Sequence, residues 1–307
     1  MQAFLIRRLV QSLLTLFGVS IVVFLMLYFT PGDPVTIMLQ GSNATPQQVE
    51  TLRHQLGLDQ PVYVRYVDYV TNALQGDLGR SYQTRESVLS AILAQLPSTL
   101  ELTFAALFIA IAIGLIFGII AAIRRDTWLD TLSMNISLFG VSIPNFWLGM
   151  LLILAFSLHV KLFPAIGTGG IRHLVLPAVA LGWGYAAIIA RLVRHSLIEV
   201  LHHDYIKTAR AKGLVEHAVI GRHALKNALI PVVTIVGLQF GHMLANAVII
   251  ESLFARQGIG RLIVTGILSK DFPMVQGVVL FAAAGYVLAN LLVDVSYAFL
   301  DPRIRFS

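Results

Sequence analysis

The chain has 307 residues, of which 57% are hydrophobic and only 12% charged, and its mean hydropathy of +0.78 lies outside the range of soluble globular proteins. A net charge of +6 would suit a nucleic-acid partner, but the basic residues concentrate between apolar runs, where a membrane topology accounts for them. The absence of cysteine excludes disulfides and thiolate metal sites.

The apolar residues fall into six uncharged runs, at 9–30, 102–123, 134–158, 174–190, 229–250 and 272–293. Most of these runs have about 22 residues, and a helix of that length reaches roughly 33 Å, enough to cross a hydrocarbon core of about 30 Å. The fourth run is shorter and spans the membrane if Arg191 extends its charged end to the interface. The pattern predicts an all-α polytopic membrane protein with six transmembrane helices.

Six spans place both termini on the same side of the membrane. Lys and Arg are denser in one set of connecting segments, namely 1–8, 124–133, 191–228 and 294–307. The positive-inside rule therefore predicts that both termini are cytoplasmic. The first run has no small-residue cleavage site before Pro31, so it is expected to remain as an anchor. The predicted divisions are a cytoplasmic N-terminus and first helix (1–30), an extracytoplasmic helical insertion (31–101) and a five-helix transmembrane core (102–307) that includes a cytoplasmic loop at 191–228.

The 31–101 insertion begins with a clear helix signal. Thr45 followed by Pro46 and Gln48 is typical of an N-cap, a first-turn proline and a capping box. Gly57 is the predicted end of this helix.

Two more helices are predicted in the insertion. One runs over 61–74 and ends at Gly76. Over 84–96 the apolar residues recur at helical spacing, which favours a helix lying in the membrane interface. The insertion is long enough to cover the outer mouth of the helix bundle.

A polar stripe marks the fifth run. The apolar runs contain no Asp, Glu, Lys or Arg, but the fifth run contains His242. This residue shares a helical face with Gln239 and Asn246, at spacings of three and four residues. Such a stripe can line a wet pathway for a polar solute, or it can form a hydrogen-bond network between helices. Both interpretations remain open from the sequence.

The third run contains a proline with polar neighbours. Ser142 and Asn145 flank Pro144, where a kink would free backbone carbonyls. These two residues are further candidates for a pathway, although a proline kink alone also accounts for small polar neighbours.

Glycine pairs at a spacing of four occur in two of the runs. They are Gly114 with Gly118 and Gly237 with Gly241. Each pair permits close helix crossing, either inside the bundle or with a second membrane subunit.

The loop at 191–228 is the most basic part of the chain and is predicted to form a helix, a turn and a helix. Asp204 can cap a short helix, and Gly213 can close it in a left-handed conformation. A second amphipathic segment runs over 215–227, and Pro231 opens the next apolar run.

Small residues in this loop would let another protein approach the backbone closely; they are Ala209, Ala211 and Gly213. Basic side chains in the same segment would hold it at the cytoplasmic face; they are Lys207, Arg210 and Lys212. The segment from Tyr205 to Leu214 is therefore the predicted docking element.

No catalytic or nucleotide-binding signature occurs in the chain. The patterns GxxxxGK[ST], HExxH and GxSxG and cysteine pairs are missing. His202 and His203 are adjacent and point about 100° apart on a helix, which suits a solvated pair rather than metal ligands. The sequence predicts no catalytic residue, no metal site and no cofactor of its own, so any ATP hydrolysis would occur in a separate subunit.

Motifs that resemble one transporter family are spread over the whole chain. They are TPGDP (30–34), LGLDQP (56–61), GDLGRS (76–81), SIPNFWLG (142–149), TARAKG (208–213), RHALKNALIP (222–231), GLQFG (237–241) and LDPRIR (300–305). Together they resemble the ABC importer permeases of the peptide and nickel family. The general coupling-loop pattern of such permeases, Glu-Ala-Ala, three residues and Gly, is kept only in part, because Lys207 and Thr208 stand where Glu and the first Ala would be.

The resemblance implies a permease subunit that works by alternating access in the bacterial cytoplasmic (inner) membrane, surrounded by membrane lipid. Its implied partners are a second homologous permease subunit, two cytoplasmic subunits that bind ATP and Mg²⁺, and an extracytoplasmic solute-binding protein. The insertion would either contact that protein or serve only as a lid. The implied ATPase-coupling residues are Asp204, Tyr205, Lys207, Thr208, Ala209, Ala211, Lys212, Gly213 and Leu214.

The substrate is left open by this family, whose members import short peptides, oligopeptides, glutathione or nickel. The TARAKG and GLQFG segments are similar to peptide and glutathione members, and peptide import is the leading interpretation. The FWLG segment and residues 164–170 are similar to nickel members, so nickel or a nickel chelate is the alternative.

Two rival classes predict features that the sequence lacks. A secondary transporter driven by an ion gradient usually has membrane-embedded carboxylates or inverted repeats, and neither is found in the runs. An intramembrane enzyme needs a nucleophile with a base, or a metal pair, inside the spans, and no such set is present.

Overall fold

The fold is given by a computed structural model that describes residues 2–30, 33–39 and 45–300. Within these ranges the chain is helical, and the only β pairing is one isolated bridge between Arg80 and Ser87. Residues 31–32 of the TPGDP motif and residues 301–305 of the LDPRIR motif lie outside the described residues.

The helices follow one another along the chain with short connections. They are α1 (Gln2–Tyr28), α2 (Pro34–Met38), α3 (Pro46–Gln55), α4 (Val62–Leu74), α5 (Val88–Ile123), α6 (Trp128–Ser142), α7 (Asn145–Leu152), α8 (Gly170–Leu201), α9 (Asp204–Ala211), α10 (Glu216–Ala218), α11 (Leu225–Ala228), α12 (Ile230–Leu253), α13 (Ile259–Leu268) and α14 (Phe272–Leu300). Two π-helical segments, π1 (Ile153–His159) and π2 (Val219–Ala224), follow α7 and α10.

Five helices are long and apolar enough to cross a membrane; these are Ile6–Met26 within α1, then α5, α8 and α12, and Phe272–Val293 within α14. A sixth candidate is the pair formed by α6 and the α7–π1 helix, which bends by 105° at the break between them. Five of the six predicted runs therefore correspond to single apolar helices, and the third does not.

The run at 134–158, for which a kink at Pro144 is predicted, forms two helices that meet at a sharp bend. α6 ends at Ser142, Ile143 is extended with φ −92° and ψ 123°, and α7 begins at Asn145. Pro144 has no N–H for a helical hydrogen bond, and it disfavours helical backbone at the residue before it. The chain consequently breaks and turns sharply instead of bending through a kink.

The fourth span is longer than its apolar run indicates. The run covers 174–190, whereas α8 has 32 residues, from Gly170 to Leu201. Charged residues beyond the run, including Arg191 and Arg194, continue the same helix. The first part of the predicted 191–228 loop is therefore helical.

The packing divides the described residues into two compact units. Unit 1 contains the described residues up to Ser98 together with Gln257–Leu291, and unit 2 contains Thr99–Arg256 together with the described residues from Leu292.

The core of unit 2 is built around α8, which packs against α6, α7 and α12. Its fully buried members include Leu102 on α5, Leu181 and Ile189 on α8, and Met243 and Ile250 on α12. Apolar side chains from helices that are distant in sequence thus form one contiguous core.

Small residues let these helices approach closely. A Cβ atom at Gly114 would lie 2.6 Å from the Ile189 Cβ, and one at Gly118 would lie 2.6 Å from the Ala190 carbonyl oxygen. Gly237 meets α14 in the same way. Gly114, Gly118 and Gly237 therefore contribute to packing inside the chain, one of the two uses that the sequence left open.

The first helix of the insertion, in unit 1, confirms its sequence signal. The Thr45 hydroxyl accepts a hydrogen bond from the Gln48 amide at 3.3 Å, and the Thr45 amide donates to Gln48 Oε1 at 2.9 Å. Gly57 follows with φ +62°, a conformation that glycine adopts without strain.

The second helix of the insertion begins at Val62, one residue later than predicted, and is followed by Gly76 at φ +84°. It packs against α1. The Tyr66 hydroxyl and Ser20 Oγ lie 2.8 Å apart, and the Phe24 ring contacts Tyr66 edge-on at 5.3 Å between centroids.

The separate interfacial helix predicted over 84–96 is wrong. Helix α5 begins at Val88 and continues to Ile123 without a break. Val88 and Ile92 are fully buried, and in unit 1 they join a core with Val278 of α14. The helical spacing of the apolar residues reflects packing within the protein.

Candidate functional site

The coupling segment, defined as residues 204–228, rests on a small apolar core in unit 2. Ile206 and Ala209 lie three residues apart on one face of α9, and both are buried. They pack with Leu197 of α8 and with Val219 and Ala224 of the second half of the segment. These buried contacts fix the position of the segment within the chain, without a partner protein.

Ala209 does not have the role that the sequence suggested. It was predicted to leave room for a docking protein, but it is 7% exposed and faces the core. Ala211 and Gly213 are exposed, as a docking surface requires. Because residues three apart share a helical face, Ala209 follows Ile206 inward, and Ala211 points elsewhere.

The predicted turn at Gly213 is present. Its φ is +78°, and its amide donates to the Arg210 carbonyl at 2.9 Å, which closes α9. Arg210 spans this turn, donating to the two carboxylate oxygens of Glu216 at 3.1 and 2.6 Å. The hydrogen bond from Arg210 holds the pKa of Glu216 below its ordinary value.

Asp204 is not the N-cap that the sequence predicts. His203 takes the N-cap position, and Asp204 is the first residue of α9. Its carboxylate accepts from Lys207 Nζ at 2.9 Å, and this hydrogen bond lowers the pKa of Asp204. A carboxylate in the first turn still complements the helix dipole, so it stabilises α9 without capping it.

The other predicted coupling residues form an exposed surface. They are Tyr205, Lys207, Thr208, Ala211, Lys212, Gly213 and Leu214. The Tyr205 hydroxyl accepts from Asn227 Nδ2 at 2.8 Å, which ties α9 to the end of the segment. Thr208 donates to the Asp204 carbonyl at 2.9 Å. The surface thus combines basic, hydroxyl and apolar groups, and internal hydrogen bonds hold its backbone in place.

An ion pair between a half-buried arginine and a buried aspartate connects α6 to α8. Arg194 donates from Nε and Nη2 to the two carboxylate oxygens of Asp130, each at 2.7 Å. Asp130 is 5% exposed and also accepts from the Asp126 amide. Sequence reasoning missed this pair, since the two residues lie 64 positions apart and neither belongs to a motif.

Two buried carboxylates lie beyond the ends of the predicted apolar runs, which themselves contain none. Asp130 lies in the first turn of α6, and Glu251 lies in the last turn of α12, one residue beyond the predicted run. Arg256 is almost completely buried as well and forms an ion pair with Glu101. All four charged residues lie outside the predicted apolar runs, which were defined as uncharged stretches of sequence.

A cleft opens in unit 2 where the third predicted span breaks. This cleft, called the polar cleft after its few polar side chains although most of its wall is apolar, has a volume of about 390 Å³. It is lined by the α6–α7 break, α8 and α12. Asn145, the first residue of α7, lines it together with Asn246 and Tyr185. Asn246 Nδ2 donates to the Tyr185 hydroxyl at 3.0 Å.

Small residues shape this cleft. A Cβ atom at Gly184 would lie 3.2 Å from the Gly140 carbonyl oxygen and 3.4 Å from Asn145 Oδ1. The remaining wall is apolar, from residues such as Phe146 and Ile249. Among the described residues that line the cleft, none carries a formal charge.

The predicted polar stripe on α12 is divided between different surroundings. Asn246 lines the cleft, whereas Gln239 is 4% exposed and its side-chain amide has no hydrogen-bond partner among the described residues. His242 is exposed and does not line the cleft. Seven residues, or about 10.5 Å of helix, separate Gln239 from Asn246, so they meet different neighbours.

Of the two residues that flank Pro144, only Asn145 lines the cleft. Ser142 is exposed, and its hydroxyl donates to the Leu138 carbonyl at 3.0 Å within its own helix. Tyr185 is the cleft residue that sequence reasoning missed; it lies in a run that carried no other polar signal. Across the described ranges, no group of three or more His, Asp or Glu side chains is arranged to hold a metal ion.

Comparison with known families gives two matches that together cover nearly the whole chain. Residues 114–306 match the family described as "Binding-protein-dependent transport system inner membrane component". Residues 1–103 match the corresponding N-terminal family.

Curated relatives share the full length of the chain. The glutathione transport system permease protein GsiC of Escherichia coli O6:H1 is 44% identical over 303 residues, covering 99% of each chain. The proteins of the same name from Escherichia coli K12 and Shigella dysenteriae serotype 1 are 43% identical over the same coverage.

Solved structures share the fold. An inward-facing structure of the MetNI methionine ABC transporter superposes with a TM-score of 0.58 at 21% identity, covering 69% of this chain and 97% of the other. An amino acid ABC transporter with histidines gives a TM-score of 0.53 at 17% identity, covering 70% and 94%.

Proposed function

The chain belongs to the family of binding-protein-dependent transport system inner membrane components, and on that premise we propose that it is the membrane-spanning subunit of an ATP-driven importer of short peptides. The observation that carries this proposal is the identity of 43–44% with glutathione permeases over 99% of both chains. Family membership makes it a multi-pass protein of the bacterial inner membrane.

The proposed topology has six spans, with the bent pair of α6 and α7–π1 counted as one. Both termini are cytoplasmic, and the 31–101 insertion is extracytoplasmic. The density of Lys and Arg in the connecting segments supports this orientation. The five-helix core at 102–307 then contains the polar cleft, and the coupling segment faces the cytoplasm.

The coupling segment is proposed to dock one cytoplasmic ATPase subunit. A second, homologous permease subunit is proposed to dock another. Those subunits bind ATP and Mg²⁺, since this chain has no Walker motif. The exposed residues between Tyr205 and Leu214, on a backbone anchored by the buried Ile206 and Ala209, support this role. A solute-binding protein delivers the substrate from the extracytoplasmic side.

Movement of the coupling segment is proposed to reach the cleft through helices that pack against one another. Closure of the ATPase subunits moves α9, and α8 moves with it because Ile206 packs with Leu197. The Asp130–Arg194 pair joins α8 to α6, whose far end borders the cleft. Alternating access therefore needs no chemistry inside the membrane, and the energy source stays remote from the pathway.

The cleft favours peptides among the substrates open to this family. Carboxamide and hydroxyl groups on Asn145, Asn246 and Tyr185 can both donate to and accept from peptide groups. An uncharged lining neither selects nor repels the varied side chains of short peptides. A bare nickel ion would instead need imidazole or carboxylate ligands, which this lining lacks.

The experiment that tests the proposal is uptake by vesicles that carry this chain with its partner permease, ATPases and solute-binding protein. Labelled glutathione is compared with labelled nickel, with and without ATP. ATP-dependent accumulation of glutathione is the expected result. Accumulation of nickel alone would replace the substrate, and uptake that follows an ion gradient without ATP would overturn the proposed energy source.

A further inference from the structure

A second cleft, the insertion cleft, lies in unit 1 and has no role in the transport account. Its volume is 830 Å³, and its lining comes from the end of α1, from α3 and α4, and from the start of α14. Sites for small molecules typically have volumes of about 300–1,000 Å³, so the cleft is large enough for a short peptide.

Some charges in this cleft are already paired. Arg53 donates to Asp33 at 2.7 Å, and His54 lies 2.9 Å from Asp59, an acidic neighbour just outside the lining. These side chains are used within the insertion itself and leave little for a ligand.

Arg65 and Asp68 differ from these pairs. The Arg65 guanidinium lies over the Tyr28 ring, 5.8 Å from its centroid, and forms no ion pair within the described ranges. Asp68 is exposed and likewise has no basic partner there. Both side chains line the cleft, so a positive and a negative group are available to a ligand.

One face of α4 presents these groups in a row. Arg65, Asp68 and Asn72 are separated by three and four residues, a spacing that places them on the same side of a helix. A guanidinium, a carboxylate and a carboxamide therefore follow one another at intervals of about one helical turn, roughly 5 Å. Aromatic rings of Tyr28 and Phe272 contribute further wall.

Tyr69, on the same helix, supplies an unused donor. Its hydroxyl is buried and has no hydrogen-bond partner among the described residues. Burial, together with the neighbouring Tyr66, raises the pKa of Tyr69 to about 12, so the hydroxyl keeps its proton at neutral pH. A buried donor without an acceptor is costly, and a ligand carbonyl or carboxylate would satisfy it.

We propose that the insertion cleft binds a short zwitterionic peptide, with Arg65 holding the carboxylate, Asp68 the ammonium group and the Tyr69 hydroxyl a carbonyl oxygen. This inference rests on the proposed function and adds to it a second substrate site, whose lining shares no residue with that of the polar cleft. Groups of opposite charge one helical turn apart suit a zwitterion, because a simple anion or cation would meet one repelling charge.

The test measures equilibrium binding of labelled glutathione to the complete importer without its solute-binding protein. The importer carries Asn246→Leu, so that the insertion cleft is measured without the contribution of the polar cleft. Arg65→Gln and Asp68→Asn are each expected to weaken binding by about tenfold, and Tyr69→Phe by about fivefold. Arg80→Gln and Glu50→Gln, exposed positions in the insertion that do not line the cleft, are the matched controls and leave binding unchanged.

Unchanged binding in all three cleft variants would overturn the inference. Unchanged peptide binding combined with weaker docking of the loaded solute-binding protein would also overturn it and assign the cleft to that protein. ATP-driven glutathione uptake by the unaltered importer is measured in parallel. If uptake occurs while the cleft variants bind normally, the inference fails and the proposed function stands; if neither uptake nor binding occurs, both fail.

Discussion

The coupling segment and the polar cleft are built by opposite means. The coupling segment is continuous in sequence, lies on a small apolar core and carries its charges outward, including the Arg210–Glu216 bridge. The cleft is assembled from three distant stretches, at 140–146, 184–188 and 246–249, and its described lining carries no formal charge. A docking surface for another protein and a passage for a solute therefore need different chemistry. Substitutions that change the charge of the docking surface, or remove polar groups from the cleft, test this contrast.

The largest expected effect comes from placing a charge on the docking surface. Ala211→Glu should abolish stimulation of the ATPase and uptake together, because a bulky carboxylate would occupy the space that a docking subunit needs. Membrane insertion and protein level should be unchanged, since Ala211 is exposed. ATPase activity of the reconstituted complex and the amount of inserted protein are the measurements.

Two matched variants sharpen this result. Gly221→Glu also adds a carboxylate at an exposed position of the coupling segment, but outside the proposed docking surface at 205–214. A Cβ atom there would meet nothing within 4 Å, and the change should leave the activity unchanged. Ala209→Glu places the charge in the core and should lower the protein level instead. Normal uptake with Ala211→Glu would contradict the docking role.

Breaking the link between α6 and α8 should have the next largest effect. Asp130→Asn leaves Arg194 without its bidentate partner and should lower the free energy of unfolding by about 2–3 kcal/mol. Thermal unfolding of the purified protein checks this. Asp126→Asn, which affects an exposed pair with Arg125, should cost less than about 0.5 kcal/mol. Equal losses in the two variants would argue against a special role for Asp130.

A smaller effect is expected in the cleft. Asn246→Leu removes the hydrogen bond to Tyr185 and one peptide-binding amide, so the KM for peptide uptake should rise about tenfold while maximal ATPase stimulation is retained. Ser142→Ala is the control, because Ser142 bonds to its own helix and does not line the cleft. A rise in KM with Ser142→Ala alone would place the pathway elsewhere.

The smallest effect should be a pH dependence of the coupling segment. The folded-state pKa of Glu216 is lowered by Arg210, so the bridge contributes stability that is fully present above the unfolded pKa of about 4.3 and is lost as the pH falls through the folded value. Because the pair is exposed, Glu216→Gln should cost no more than about 1 kcal/mol at neutral pH.

The measurement is the difference in stability between the unaltered chain and Glu216→Gln, followed from neutral pH down to about pH 3. That difference should vanish in acid. Glu199→Gln, an exposed change on α8, serves as a control without the bridge. A difference that persists at low pH would mean that the bridge is not its origin.

The same contrast explains what the sequence could predict. The turn at Gly213 and the capping box at Thr45 depend on a few adjacent residues, and both are present. The cleft could be predicted only in part: Asn145 and Asn246 were candidates, but Tyr185 joins them through packing of helices that are distant in sequence.

Other differences have the same physical origin. The Asp130–Arg194 pair joins residues 64 positions apart, so no local pattern could indicate it. Ala209 is small, which is compatible with a docking surface and with a tight core alike, and only its neighbours decide between them. The break at Pro144 follows from the missing N–H, but its angle of 105° depends on the helices around it.

The separation of energy input from the solute pathway is tested by recording ATPase rate and glutathione uptake together, for the complete importer with Ala211→Glu or Asn246→Leu. We expect Ala211→Glu to abolish both stimulated ATPase activity and uptake. Asn246→Leu should raise only the peptide concentration needed for uptake and leave the maximal ATPase rate unchanged. If Asn246→Leu abolished ATPase stimulation, or Ala211→Glu spared it, the separation of energy input from the solute pathway would be contradicted.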